Sequence, residues 1–264
     1  MRLGADPEVF ICATKGKRLF SSCGKIGGTK SEPLQIPGLP VGFTIQEDNV
    51  AVEFGIPPCS TAGQFSEAIR LVQLRGIDYV REKMHQTAGV SFSGLSCTVF
   101  PKKELVHPGA LIFGCEPDYN AWTGTMNPAI ILENDAMRSA GGHIHVETTL
   151  DKTTLVKALD VTIGCATLLL ESDGALRRAL YGKAGAFRPK PYGIEYRVPS
   201  NFWIFESYLV QSMWNRVHHA MTLIEEGVNF SYLGNRIQHA INTNNTIEAG
   251  KILEKFGCSV GAFE

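Results

Sequence analysis

The feature that most constrains this chain recurs in several of its candidate strands: a carboxylate or imidazole stands where a core-facing strand would carry valine or isoleucine. Glu47 to Phe54 (E-D-N-V-A-V-E-F) alternates with period two. As one continuous strand it puts Glu47, Asn49, Ala51 and Glu53 on one face and Asp48, Val50, Val52 and Phe54 on the other. His143 and His145 in G-G-H-I-H-V share a face with Ile144 and Val146 behind them, and Glu195 and Arg197 in G-I-E-Y-R share a face with Tyr196 behind. Asp6 and Glu8 flank Pro7 near the N-terminus. Each element alone has a plainer reading: a turn for D-P-E, an exposed sheet face for Glu53, hydrogen-bonded strand histidines, a solvated cross-strand pair for E-x-R. Together they ask for a sheet with one apolar face and one that gathers charge. Such a face suits divalent cations, and hard oxygen ligands select Mg²⁺ or Mn²⁺ over a thiolate-loving metal. Asp48 falls on the apolar side of its strand and ranks below Glu53 as a ligand unless a bulge turns it round.

The stretch Arg177 to Arg197 places Arg177, Arg178, Arg188, Arg197, Lys183 and Lys190 around Gly182, Gly185 and Gly193. That is a bendable backbone dense in cations, and phosphate is the obvious anion for it. The formal net charge of −1 gives no general pull toward nucleic acid or an anionic membrane, so this cationic chemistry is local. The run C-G-K-I-G-G-T-K-S from Cys23 does not fit the phosphate-loop spacing and reads as a flexible surface loop.

At 264 residues the chain can bury a core without metal or disulfides, and one α+β domain over 1–264 is expected, with antiparallel strands separated by helices. Strands are expected over Val9–Thr14 and Ser91–Phe100, and a turn over Cys115–Asn120. Helices are expected from Ala62 to Met84, capped by Ser60-Thr61, from Asp151 to about Leu180, from Trp203 to Glu225 and from Thr246 to Phe256. The seven cysteines are scattered, odd in number and never spaced C-x-x-C, which argues for reduced thiols and against structural zinc. The N-terminus shows no leader and no segment reads as an uninterrupted apolar span, so a cytoplasmic protein is expected.

These pieces fall in the order G-A-D-P-E, E-D-N-V-A-V-E-F-G-I-P-P, G-C-E-P-D-Y-N-A-W-T, A-G-G-H-I-H-V, and Y-G-K-A-G-A-F-R through G-I-E-Y-R-V-P-S-N-F-W, over about the first three quarters of the chain. In this the sequence resembles the phage-type COOH–NH2 ligases, or amidoligases, related to glutamine synthetase and glutamate–cysteine ligase. The resemblance implies a curved, glutamine synthetase-like antiparallel sheet with helices on its convex side. It implies Mg²⁺ (or Mn²⁺) held by Glu8, Glu53, His143 and Glu195, with Asp6, Glu47 and Asp48 left open. His145 would lie near the phosphates of ATP, Arg197 would face the transferred phosphoryl group, and Arg188 or Arg177 would hold phosphate or a substrate carboxylate, with Lys183 in the same cationic segment. The implied reaction joins a small-molecule or peptide carboxylate to an amine through an acyl phosphate, releasing ADP and phosphate. Its alternatives are a phosphotransferase on the same fold, a metal-dependent hydrolase using H-I-H, and a noncatalytic binding protein. The chain is much shorter than glutamine synthetase, so the resemblance names neither substrate, and it leaves the oligomeric state open.

Overall fold

A computed structural model describes residues 1–85, 89–112, 118–128 and 134–258. Residues 114–117 of the G-C-E-P motif, with Cys115, lie outside the described residues. Strands run in chain order as β1 (Leu3–Ala13), β2 (Leu19–Phe20), β3 (Leu34–Gln35), β4 (Thr44–Asp48), β5 (Ala51–Gly55), β6 (Val90–Ser93), β7 (Cys97–Val99), β8 (Tyr119–Asn120), β9 (Met137–Ser139), β10 (Gly142–Glu147), β11 (Ala186–Lys190) and β12 (Gly193–Tyr196). Helices are α1 (Ala62–Lys83), α2 (Pro108–Leu111), α3 (Lys152–Leu159), α4 (Cys165–Leu170), α5 (Gly174–Leu180), α6 (Ser207–Glu225), α7 (Gly234–Thr243) and α8 (Thr246–Lys255). Antiparallel pairing builds one large sheet in the order β3-β4-β5-β1-β10-β12-β11-β8, with β2 and β6 also pairing to β1; β7 and β9 form a separate ribbon. The protein is thus α+β, with β1 at the centre of the sheet.

Period-two alternation explains which side the helices cover. Ala5, Val9 and Ile11 of β1, Val52 and Phe54 of β5, Ile144 and Val146 of β10, and Ile194 and Tyr196 of β12 are all buried in the main core. Helix α1 packs on β5 and β6, α3 on β11 and β12, and α6 on both helices. Thr61 caps α1 by accepting from the Gln64 N–H, and Asp151 caps α3 by accepting from the Thr154 N–H. A second, smaller apolar cluster around Phe10, Leu19, Val50, Phe100 and Ala110 closes one end of the opposite face.

Several sequence expectations are corrected. Strand β1 begins at Leu3, so Asp6-Pro7-Glu8 is strand rather than turn. Glu47–Phe54 is not one strand: Asn49 takes φ +58° and folds it into the β4–β5 hairpin, with Asp48 opposite Ala51 and Gln46 opposite Glu53. Asp48 therefore shares the face of Glu53, and the alternation that assigned it to the apolar side fails at the turn. Ser91–Phe100 breaks into β6 and β7. The apolar run after Asp151 is α3, a π-helical turn over Asp160–Gly164, and α4; the chain is extended at Glu171 before α5 begins. Helix α6 starts at Ser207 after a 3₁₀ turn over Asn201–Phe205. Against the expectation that no segment could span a bilayer, Lys152–Leu170 is long and apolar enough by composition, but 72% of its apolar window is buried inside the protein.

Helix α1 approaches β5 closely at Gly76, where an added Cβ would lie 2.5 Å from the Phe54 ring. Gly76→Ala should therefore destabilise the fold by about 1–3 kcal/mol. Gly250 of α8 has open space around it. Gly250→Ala should stabilise by about 0.5–1 kcal/mol. Urea denaturation of both variants checks the pair, and equal shifts of the same sign would contradict this packing.

Candidate active site

Register assembles the charged face. Across β1–β5, Glu8 stands opposite Glu53; across β1–β10, Asp6 stands opposite His143 and Gly4 opposite His145. Across β10–β12, His145 faces Glu195, and across β11–β12, Arg188 faces Glu195. Directly opposed residues of antiparallel strands point to the same side. One surface therefore carries Glu53, Glu8 and Asp6, the two histidines, Glu195 and Arg188, with Arg197 immediately after β12. Gly141 is required here, because an added Cβ would lie 2.3 Å from Nε2 of His143.

Glu195 is the hub of the cationic half and is only 1% exposed. Its Oε1 accepts from Nη1 of Arg197 and lies 3.5 Å from Nη1 of Arg188, while Oε2 lies 2.7 Å from Nζ of Lys190. Burial and the Asp6 charge would raise the Glu195 carboxyl, but His143, Arg197 and Lys190 overcome both and hold it at about 2. Burial and the adjacent Arg197 push His143 down to about 4, so its imidazole is neutral and able to act as a ligand near neutral pH. Arg197 also reaches Asp118, with Nε 3.3 Å from Oδ2. Arg177 of α5 holds the adjoining backbone, donating from Nη1 to the Val198 carbonyl at 2.8 Å and from Nη2 to that of Arg197 at 3.4 Å.

The other half is acidic. Burial and Asp48 raise the Glu8 carboxyl to about 7, although Glu8 accepts a 2.7 Å hydrogen bond from the Gly141 N–H. Burial, together with the charges of Asp6, Asp48 and Glu8, raises Glu53 well above the usual carboxylate range; Nε2 of Gln46 donates to it at 2.7 Å. Against its burial, the two imidazoles hold Asp6 well below that range. Asp6, His145 and Glu195 each offer a ligand atom within 4.8 Å of the others. Nε2 of His145 stands 3.0 Å from Oδ2 of Asp6, and Nδ1 of His143 3.4 Å from Oδ1, but without hydrogen-bond geometry. Oδ1 of Asp6 and Nε2 of His145 thus have no hydrogen-bond partner among the described residues. Crowded carboxylates that resist ionisation, beside an Asp6 oxygen and a His145 nitrogen that lack hydrogen-bond partners, fit a divalent cation.

Two cavities open along β1 on this face. At one end a cleft is lined by Glu8, Asp48, Asp118, Arg138, Arg177 and Arg197. At the other lies a more apolar hollow lined by Gly4, Ile56, Pro58, His145 and Tyr192, with the Arg2–Glu147 ion pair beside it. Asp6 lines the hollow with His145, about 7 Å along the strand from Glu8 in the cleft. The Tyr192 ring stands 6.0 Å from that of His145, and its hydroxyl bonds Nδ1 of His145.

The structure thus brings Glu8, Glu53, His143, His145, Glu195, Arg188 and Arg197 to one face and sets Arg177 at the cleft wall. Lys183 stands apart, in the turn before β11 and outside the lining of either cavity. Lys190, from the same segment, is the lysine that meets Glu195. Sequence reasoning named Lys190 only as one cation of its segment and gave Tyr192 and Asp118 no role; period-two spacing from Arg188 puts Lys190 on the face of Glu195. The glycine-rich loop after Cys23 is held rather than loose: the Glu47 carboxylate accepts from the N–H groups of Gly24, Lys25, Ile26 and Gly27 at 2.7–3.0 Å.

Because Glu8 titrates higher in the fold than in an unfolded chain, its contribution to stability is fully present below the unfolded value of 4.5 and is lost as pH rises through about 7. A bound divalent cation would offset that penalty. Mg²⁺ should raise the melting temperature more at pH about 8 than at about 6, and its binding at neutral pH should release on the order of one proton, read by calorimetry in two buffers of different ionisation enthalpy. Binding without proton release would contradict this account.

No curated protein matches the chain. Residues 136–241, which run from the start of the β9 segment through most of α7 and contain His143, His145, Arg177, Arg188, Glu195 and Arg197, match the model of the family described as phage phiEco32-like COOH.NH2 ligase-type 2.

Proposed function

We propose that this chain is an ATP-dependent carboxylate–amine ligase working on the charged face of a glutamine synthetase-like sheet. The observation that carries the reading is the bipolar face itself. Acids on β1 and β5 meet cations from β11 and from Arg197, just after β12, at the histidines of β10, and those histidines and cations lie within the segment that matches a ligase family. A carboxylate is a poor acyl donor because its oxygen leaves badly and its charge repels nucleophiles. Transfer of the γ-phosphoryl group of ATP to that oxygen removes both obstacles. The amine then attacks the acyl carbon, loses a proton and displaces phosphate, leaving an amide, ADP and phosphate.

The chain's residues divide this work. Asp6, Glu8, Glu53, Glu195 and the histidines would hold Mg²⁺ or Mn²⁺, which when bound neutralises phosphate oxygens. Arg197 is held by Glu195 on one side and Asp118 on the other, so its guanidinium is fixed before charge develops. Arg188 adds a second cation to the same carboxylate. Neutral His143 accepts or ligates without adding charge. The arginine-lined cleft suits the anionic carboxylate substrate, and the hollow beside Tyr192 and His145 suits the nucleotide. The same reading takes 1–264 as one domain acting in the cytoplasm on small-molecule or peptide substrates.

The test is Mg²⁺-dependent conversion of ATP to ADP with a pool of amino acids, peptides and polyamines, followed by mass spectrometry. A product one water lighter than its two parents is expected. A phosphorylated but uncondensed product would make the protein a phosphotransferase, and failure to bind nucleotide would remove the ligase reading. Arg197→Ala should lower turnover on the order of 10²–10³-fold while the protein stays folded. Glu195→Gln should shift the Mg²⁺ titration to higher concentration; an unchanged curve would exclude Glu195 as a ligand.

A further inference from the structure

On the helix-covered side of the sheet, behind the reacting face, Asp160 is 0% exposed and accepts three hydrogen bonds. Its Oδ2 takes the indole N–H of Trp122 and the backbone N–H of Gly185, both at 2.6 Å, and its Oδ1 takes the Tyr196 hydroxyl at 2.8 Å. The donors come from three separate segments. Trp122 belongs to the loop 118–128, whose Asp118 receives Nδ2 of Asn127 at 2.8 Å and pairs with Arg197. Gly185 ends the turn before β11, which carries Arg188, and its carbonyl accepts from the Ala121 N–H at 2.9 Å. Tyr196 stands between Glu195 and Arg197 in β12. A buried carboxylate is costly unless fully hydrogen-bonded, and this one is raised to about 7 by burial despite its three donors. Packing alone would be served by leucine there.

We propose that Asp160 is a positioning residue for Arg197, tying the loop that carries Asp118, the turn that leads to Arg188 and the strand that runs into Arg197 to a single acceptor. The proposal rests on the ligase reading for its kinetic consequence but not for its structural one. The carboxylate suits the task because all three neighbours are donors. Asparagine can turn its oxygen to Trp122 and Gly185 and its N–H₂ to the Tyr196 hydroxyl, which would then accept, but it loses the negative charge that strengthens all three bonds, so Asp160→Asn weakens the tether with little change in volume. Tyr196→Phe and Trp122→Phe each remove one donor and leave the carboxylate its other two.

The experiment combines steady-state kinetics with amide hydrogen exchange on wild type, Asp160→Asn, Tyr196→Phe, Trp122→Phe and the Asp160→Asn/Tyr196→Phe double variant. Asp160→Asn and Tyr196→Phe should lower kcat on the order of 10-fold with KM for ATP within about twofold, because misplacement affects the step at Arg197 more than ligand binding. The double variant should be no slower than Asp160→Asn. Exchange should accelerate in 118–128 and at Gly185. A role confined to stability would lower the melting temperature while leaving kcat of the folded protein unchanged, and that result overturns the proposal. So does wild-type exchange in a folded Asp160→Asn. If Asp160→Asn does not fold, wild-type kcat and exchange in both single-donor variants overturn it. If wild type turns over no substrate, the ligase reading fails, while the exchange data still decide whether Asp160 tethers these segments.

Discussion

A carboxylate sealed inside a sheet survives as an anion only if cations come to it, and Glu195 is such a group. Arg197 follows it on the same chain, Arg188 and Lys190 reach it from β11, and His143 stands beside it from β10. Three strands are thereby fixed side by side at the level of their heads as well as their backbones. The cation-dense stretch from Arg177 to Arg197 is arranged partly around this internal anion and partly around its own backbone, as the grip of Arg177 on the Val198 and Arg197 carbonyls shows. Positive charge accumulates on one flank of the face, and the carboxylates of β1, β4 and β5 on the other. An anionic group arriving between them meets arginine on one side and carboxylates on the other.

The fold was legible wherever alternation and capping were uninterrupted. The H-I-H and E-Y-R faces are as period two predicts, and α1 ends within a residue of its expected limits because Thr61 supplies a local, readable cap. Legibility failed where a single backbone torsion overrode the pattern. Asn49 adopts a left-handed conformation that little in E-D-N-V-A-V-E-F announces, and that turn moves Asp48 to the face of Glu53. The π-helical turn at Asp160 is likewise invisible in an apolar run whose composition suits a continuous helix.

For the candidate site, residue types could be read but companionship could not. Asp6 and Glu8 lie far in sequence from His143 and Glu195, and only strand order makes them neighbours. Asp118 has no neighbour in sequence that betrays its contact with Arg197; tertiary packing of the 118–128 loop creates it. Lys183 and Lys190 carry the same charge in the same segment, and the strand geometry of β11, rather than composition, selects the second. The face also separates two kinds of duty. The ladder strands carry the acids, the histidines and Glu195, whereas Arg138 and Asp118 in the cleft wall come from outside the central strands.

Glu47 and Asp48 are adjacent in sequence and point to opposite sides of β4. Asp48 joins the acid face, while Glu47 fills a ring of backbone amides from Gly24 to Gly27. Successive N–H groups converging in this way form the kind of nest that elsewhere captures phosphate. In this protein the nest already holds an anion covalently attached to the chain, at an effective concentration no dissolved anion matches. Free phosphate or nucleotide would have to displace Glu47 to enter the glycine-rich loop, so the loop spends its anion-holding capacity on fastening β4 to the chain before it.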